Sequence, residues 1–262
     1  VLLHLGELLE LGKKLSTINR AVVSISLAQA AAGGAAFRDE LVVREYLKGL
    51  RRRLRRQRRR EAPAMLLEDL RRLVATQTTS TRLGLRNRAM LLVGWWGALR
   101  RSEVVGLDVD DVADDAAGLV VRIRTSKTDQ EGEGAVVGLP RRGDDLCPAA
   151  AVRAWLAVRS DVVVDAGGVD VGALFLCVGR RGRGARLAPQ AVERVVVGAA
   201  GDAGVDVRYT PHSLRAGFAT QAARAGKPAH AIRRQTRHAS LAMLERYIRE
   251  GEVFIGNAGT DL

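Results

Sequence analysis

Apolar positions recur at helical spacing over most of this 262-residue chain and at strand spacing over little of it. Ile18, Val22, Ile25, Leu27 and Ala28 mark a helix over residues 16–33 that ends at Gly33-Gly34. A second runs from about Arg38 through Val42, Tyr46, Leu47 and Leu50 into an arginine run at 51–60. Ala62-Pro63 breaks that pattern, and a new one opens at Met65 and Leu66 with Glu68 and Asp69 in its first turn. The domain boundary is therefore expected there, giving 1–60 and 61–262. Further helices are predicted at 66–75, 84–98, from Ser102, and at 148–159, 189–201, 211–225, 228–236 and 240–250. Residues 119–124 and 135–139 read as the strands of a hairpin whose polar tip is Thr125 to Gly134. The fold class expected is mainly α with a small antiparallel β-sheet (α+β), without internal repeats.

Composition narrows the function. With 47% hydrophobic residues the chain can bury a core, and it lacks the run of about 18 apolar residues that a membrane span needs. No leader pattern opens it, and Cys147 and Cys177 sit apart in apolar surroundings, so a soluble, cytoplasmic protein with two free thiols is expected. The net charge of +13 calls for a polyanion, nucleic acid before others, although free use of arginine also raises it. Eight arginines in the ten residues 51–60 read as a solvated linker and as a phosphate-contacting stripe, with Arg51, Arg52, Arg55, Arg56, Arg58 and Arg59 the candidate contacts. The 42 basic residues include only five lysines, so a lysine at a chemical position is informative. The acidic run Asp108, Asp110, Asp111, Asp114, Asp115 lacks the calcium-loop pattern and reads as a solvated loop before the first strand; no metal site is expected.

Thr210-Pro211-His212-Ser213-Leu214-Arg215 puts an N-cap and a first-turn proline ahead of His212 and Arg215, one turn apart at the positive end of a helix. Alone this is a weak signal. Arg215 is followed 23 residues later by His238 and nine after that by Tyr247, while upstream stand Arg100, Arg101 and Glu103, and Lys127 at the hairpin tip. His4 and His230 match nothing and read as structural.

This constellation resembles the tyrosine recombinases of the phage-integrase family over residues 61–257, and residues 16–60 resemble the last helices of that family's N-terminal core-binding domain. The chain starts at Val1, so an incomplete core-binding domain is expected, followed by a catalytic domain with a C-terminal tail. The resemblance implies a site-specific DNA recombinase or integrase working through a 3′-phosphotyrosyl intermediate without metal, ATP or other cofactor. It implies Arg100 and Arg215 as phosphate clamps, Lys127 as the hairpin lysine, His212 and His238 as the two histidines, Tyr247 as nucleophile and Glu103 as their support. Arg101 competes for the first arginine's role, but Arg100 keeps the three-residue spacing to Glu103, leaving Arg101 as a surface or DNA-backbone residue. Arg237 stands where the family usually has glycine, a departure expected to strain that turn. Partners implied are double-stranded DNA at a recombination site, a homotetramer docked through the tail and accessory DNA-bending factors. A type IB topoisomerase-like activity and an inactive integrase that only binds DNA stay open as alternatives.

The residue types suit the chemistry. Attack by a phenol oxygen builds a phosphorane with extra negative charge, which guanidiniums bind bidentately where other sites use a metal ion. A phenol whose ordinary pKa is about 10 needs cationic neighbours or a base, and His212 can accept or relay its proton. A departing sugar oxygen needs a proton that lysine can give and arginine cannot. For the arginine run the expectation is direct: changing Arg55, Arg56, Arg58 and Arg59 to Gln flattens the log–log dependence of DNA affinity on salt by about 0.9 for each phosphate contact removed. An unchanged slope would put the run in solvent.

Overall fold

The computed structural model describes residues 1–34, 37–54, 62–124, 134–180, 182–238, 240, 244, 245 and 247. The chain divides into two compact units, Val1–Glu61 and Ala62–Leu262. The first holds α1 (Leu2–Glu10), α2 (Leu15–Ala31) and α3 (Leu41–Arg53), with a 3-10 turn at Phe37–Asp39. Its core is Leu5, Ile18, Val22, Phe37, Val43, Leu47, Leu50 and Leu54. α1 lies ahead of the first expected helix, and with nine residues and no capping side chain it is too short to be stable alone. Fully buried Leu5 ties it to its neighbours. Arg51, Arg52 and Arg53 form the exposed last turn of α3, shorter than the helix expected from 38; Arg55, Arg56, Arg58 and Arg59 lie outside the described residues.

The second unit carries α4 (Leu67–Ala75), α5 (Arg82–Trp96), α6 (Arg101–Gly106), the strands β1 (Val112–Asp115), β2 (Gly118–Ile123) and β3 (Ala135–Pro140), then α7 (Pro148–Asp165), α8 (Gln190–Asp202), α9 (Pro211–Arg224) and α10 (Ala229–Thr236). Leu244, Glu245 and Tyr247 are helical. The sheet is antiparallel in the order β1-β2-β3, so the expected hairpin gains a third strand. The fold is mainly α with a small antiparallel sheet, as the pattern predicts. The acidic run corrects the solvated-loop expectation. Asp114 and Asp115 lie in β1, buried Asp111 accepts from Arg124 Nε at 2.7 Å, and Asp108 is paired with Arg124 and Arg186. Their partners are distant in sequence, which a local charge count does not register. α7 runs to Asp165 because buried Val162 and Val163 extend its apolar face.

α5 is the central helix. Met90, Leu91, Leu92, Val93 and Trp95 are all buried, as expected of a helix packed on every side. Its indole is satisfied too: Trp95 Nε1 donates to Met65 O at 2.8 Å. No helix among the described residues is long and apolar enough to cross a membrane.

The start of α9 is fixed by sequence. Thr210 is extended, Pro211 opens the helix, and Ser213 Oγ accepts the Thr210 N–H at 3.1 Å. The segment at Met65 then crosses this helix backbone to backbone, with Met65 N–H donating to Ser213 O at 3.0 Å. Gly217 permits that approach, since a Cβ there would lie 1.8 Å from Met65 O. Gly217→Ala is expected to destabilise the second unit by about 1–3 kcal/mol, as overpacking does. The urea midpoint reads this, and a wild-type midpoint would mean that the Met65 segment moves aside freely.

Candidate active site

His212 sits exposed in the first turn of α9, and Arg215 follows one turn later at 2% exposure. Arg215 Nη1 donates to Ala98 O at 2.8 Å, while its buried Nη2 has no partner among the described residues. Ala98 belongs to the turn between α5 and α6 and has φ +46. Arg100 follows it, and Glu103 is buried in the first turn of α6. The Glu103 carboxylate accepts the Arg100 backbone N–H at 2.8 Å on Oε2 and Arg100 Nη1 at 2.6 Å on Oε1. The three-residue spacing thus closes a local clasp.

The other wall is the end of α10. Gln235 Nε2 donates to Trp96 O at 2.8 Å and Gly138 O at 2.9 Å, tying this end to α5 and β3. Arg237 follows in the left-handed conformation (φ +54), and its side chain turns inward onto Glu103 Oε2 at 2.8 Å. The strain expected at this turn is present, on the order of 1–3 kcal/mol for a residue with a Cβ, and the side chain gains an ion pair there. Next comes His238, buried, with Nδ1 2.8 Å from Thr236 Oγ1. That hydroxyl has one proton and a second acceptor in reach, Ile232 O at 2.8 Å. When it bonds the carbonyl, Nδ1 must bring the hydrogen and neutral His238 has a bare Nε2. When it turns to Nδ1, Nε2 carries the hydrogen and becomes the donor.

Tyr247 closes the group. It is buried against Ala216, Ala219, Ala223, Ile232 and Leu244, stacks on His238 at 5.7 Å between ring centres, and its hydroxyl lies 2.9 Å from His212 Nε2. A core aromatic and a hydrogen-bonded phenol are here the same residue.

Arg100, Glu103, His212, Arg215, His238 and Tyr247 therefore come together. Lys127 lies outside the described residues, as do residues 248–262. Arg101 is exposed and pairs with Glu193 at 3.7 Å. The spacing analysis missed Arg237 as a member of this cluster. His230, read as structural, lines with Ala229, Arg233, Arg234, Arg237 and His238 a cleft of about 750 Å³.

Crowded cations set the electrostatics. Burial, then Arg100, then Arg237, push the Arg215 guanidinium down to about 9. Burial, then Arg215 and Arg100, push His238 down to about 3, so it is neutral at ordinary pH. For Glu103 burial is the largest single influence and acts upward, but the Arg237 charge and the Arg100 hydrogen bonds outweigh it and hold the carboxyl low. Three guanidiniums, those of Arg100, Arg215 and Arg237, thus share the single carboxylate of Glu103. Among the described residues no group of three or more His, Cys, Asp or Glu is arranged to hold a metal ion.

Residues 64–252 match the sequence model of the phage integrase family. The chain is 32% identical over 252 residues to an integrase/recombinase XerD homologue of Selenomonas ruminantium, covering 94% of this chain and 71% of that one. Over 162 residues it is 36% identical to the tyrosine recombinase XerC of Azotobacter vinelandii, covering 62% of this chain and 47% of the relative, so it spans about half of that protein. In fold it is similar to a Tn1549 transposon integrase in complex with a circular intermediate DNA (TM-score 0.62, 15% identity, 93% of this chain and 78% of that one). It is also similar to the XerH site-specific recombinase bound to a palindromic difH substrate (TM-score 0.61, 18% identity, 76% and 53%).

The depressed His238 value predicts a pH dependence. Between its ordinary 6.5 and about 3 the unfolded chain binds a proton that the native imidazole refuses. This contribution to stability is thus complete above about 6.5 and declines as pH falls toward 3. Urea unfolding of the wild type and His238→Asn at pH 7 and pH 5 should show the wild type losing more stability on acidification. Equal losses would mean that His238 titrates normally in the native state.

Proposed function

The chain belongs to the phage integrase family of tyrosine recombinases, and from that premise we propose that it cleaves and rejoins DNA at specific sites with Tyr247 as nucleophile. The observation that carries this reading is the Tyr247 hydroxyl 2.9 Å from His212 Nε2, with Arg215 in electrostatic reach of both Tyr247 and Arg100. The phenol oxygen attacks phosphorus and passes its proton to His212. A bond forms from phosphorus to the tyrosyl oxygen, and the bond to the 5′-oxygen breaks, leaving a 3′-phosphotyrosyl link and a free 5′-hydroxyl. Arg100 and Arg215 bind the non-bridging oxygens as charge builds on them, and Arg215 Nη2 gains the acceptor it lacks. His238 adds a hydrogen bond from Nε2 when the Thr236 hydroxyl faces Nδ1. Lys127 protonates the departing oxygen.

A partner strand's hydroxyl then reverses the step. The covalent link conserves the energy of the broken bond, so this route calls on neither ATP nor a metal. Exchange between two duplexes takes four protomers, and residues 252–262 provide the tail that docks on a neighbour, with accessory DNA-bending factors where the site requires them. Arg51, Arg52 and Arg101 contact the DNA backbone.

The test is a denaturing gel of the chain incubated with a pool of nicked duplexes of varied sequence. A protein–DNA adduct is expected from the wild type and none from Tyr247→Phe. DNA binding with no adduct would make this an inactive binder, and relaxation of plasmid lacking any specific site would favour topoisomerase-like activity. The role of Lys127 separates by leaving group, because a thiol, with ordinary pKa near 8.5, departs without the proton an alcohol needs. Lys127→Ala should fail on ordinary DNA yet cleave a substrate with sulfur at the bridging 5′ position, whereas Tyr247→Phe fails on both and Arg100→Ala and Arg215→Ala stay slow on both. No preference of Lys127→Ala for sulfur would assign the general acid elsewhere.

A further inference from the structure

The left-handed position that ends α10 suits glycine, yet this chain has Arg237 there with its side chain only 11% exposed. Nη2 lies 2.8 Å from Glu103 Oε2 and 3.4 Å from Ala98 O, and Nη1 donates to Gln235 O at 2.8 Å and Gly97 O at 3.2 Å. Its four Nη hydrogens are therefore committed within the protein, and only Nε–H is left over. Both supports of the clamping arginines are among its partners. Glu103 holds Arg100 Nη1 on its other oxygen at 2.6 Å, and Ala98 O accepts Arg215 Nη1 at 2.8 Å. A cap needs none of this. A guanidinium buried beside two like charges opposes folding unless its ion pair and hydrogen bonds offset the desolvation and the repulsion.

We propose that Arg237 is a positioning residue: it locks Glu103 and the Gly97–Ala98 turn together, so that Arg100 and Arg215 keep a fixed relation before DNA arrives. This rests on the function proposed above. Arg237 acts through Glu103 and the turn, with at most one N–H to offer a phosphate, whereas Arg215 spends only Nη1 on Ala98 O.

Arg237→Gly provides the test, because glycine relieves the backbone while removing the side chain, and Arg237→Lys restores a cation at the same backbone cost. Two measurements are made on the whole chain. One is the first-order rate of adduct formation on a nicked duplex recovered from the pool with the wild type, together with the Kd for that duplex. The other is rotation of the Arg100 guanidinium about its Nε–Cζ bond, by nitrogen-15 NMR without DNA. Arg237→Gly should slow adduct formation about ten- to a hundredfold, the loss usual when an outer partner of a site is removed, with Kd nearly unchanged. The Arg100 guanidinium should rotate faster, and Arg237→Lys should recover part of both effects through Glu103. Wild-type cleavage by Arg237→Gly would overturn the inference, and so would slowed cleavage with Arg100 rotation unchanged. If the wild type itself formed no adduct, the proposed function would fall and Arg100 rotation alone would decide the role of Arg237.

Discussion

One carboxylate holds the site together. Burial, then the Arg100 and Arg237 charges, lower the proton affinity of Arg215, and Glu103, followed by Tyr247, opposes them. A buried charge without a partner costs several kcal/mol, so where Glu103 points decides whether the cluster can form at all. It meets this by dividing its oxygens, Oε1 to Arg100 and Oε2 to the Arg100 backbone and Arg237. Arg215 receives a carbonyl, from Ala98, and is pushed down to about 9 by burial and then by the neighbouring Arg100 and Arg237 charges.

The backbone is bent to the same end. Ala98 and Arg237 are the non-glycine residues with positive φ among those described, and both belong to this cluster. Each conformation costs on the order of 1–3 kcal/mol and persists only where packing enforces it. The enforcement is visible on both sides. The turn at Ala98 is closed by Leu99 N–H to Gly94 O at 3.0 Å, at the end of α5, whose last two turns are buried in the core. The turn at Arg237 is pinned by Gln235 to Trp96 O and Gly138 O. Stability has been spent where charge must be held in place.

What was legible in the sequence was local or periodic. His212 and Arg215 announce themselves because cap, proline and one-turn spacing lie within six residues, and Glu103 because it stands three from Arg100. The longer helices follow from their apolar positions, whereas α1, although Leu2, Leu5, Leu8 and Leu9 share its packed face, and β1, with three exposed residues of four, are short elements held by tertiary packing or by one neighbouring strand. Arg237 was legible only as an odd residue at a turn, because its meaning lies in Glu103, 134 positions away. Asp111 differs from its local reading for a similar reason, since Arg124 pairs with it from the end of the neighbouring strand, 13 positions on. Pattern reading averages over neighbours in sequence, and ion pairs of this kind join neighbours in space.

The proton on His238 shows how these constraints meet. Its neutrality in the free protein follows from burial and from the same arginines that an incoming phosphate would neutralise. On the proposed reading, a bound phosphodiester weakens the repulsion that keeps the ring unprotonated and offers an acceptor for an N–H at Nε2. The Thr236 hydroxyl, poised between Ile232 O and His238 Nδ1 at equal distances, then determines what the ring can give. Facing Nδ1, it leaves a neutral donor; facing the carbonyl, it requires the ring to gain a second proton before Nε2 can donate. The substrate's charge and a single hydroxyl rotor are thereby coupled, and the excess of cations over carboxylates that burdens the free protein becomes its attraction for an arriving anion.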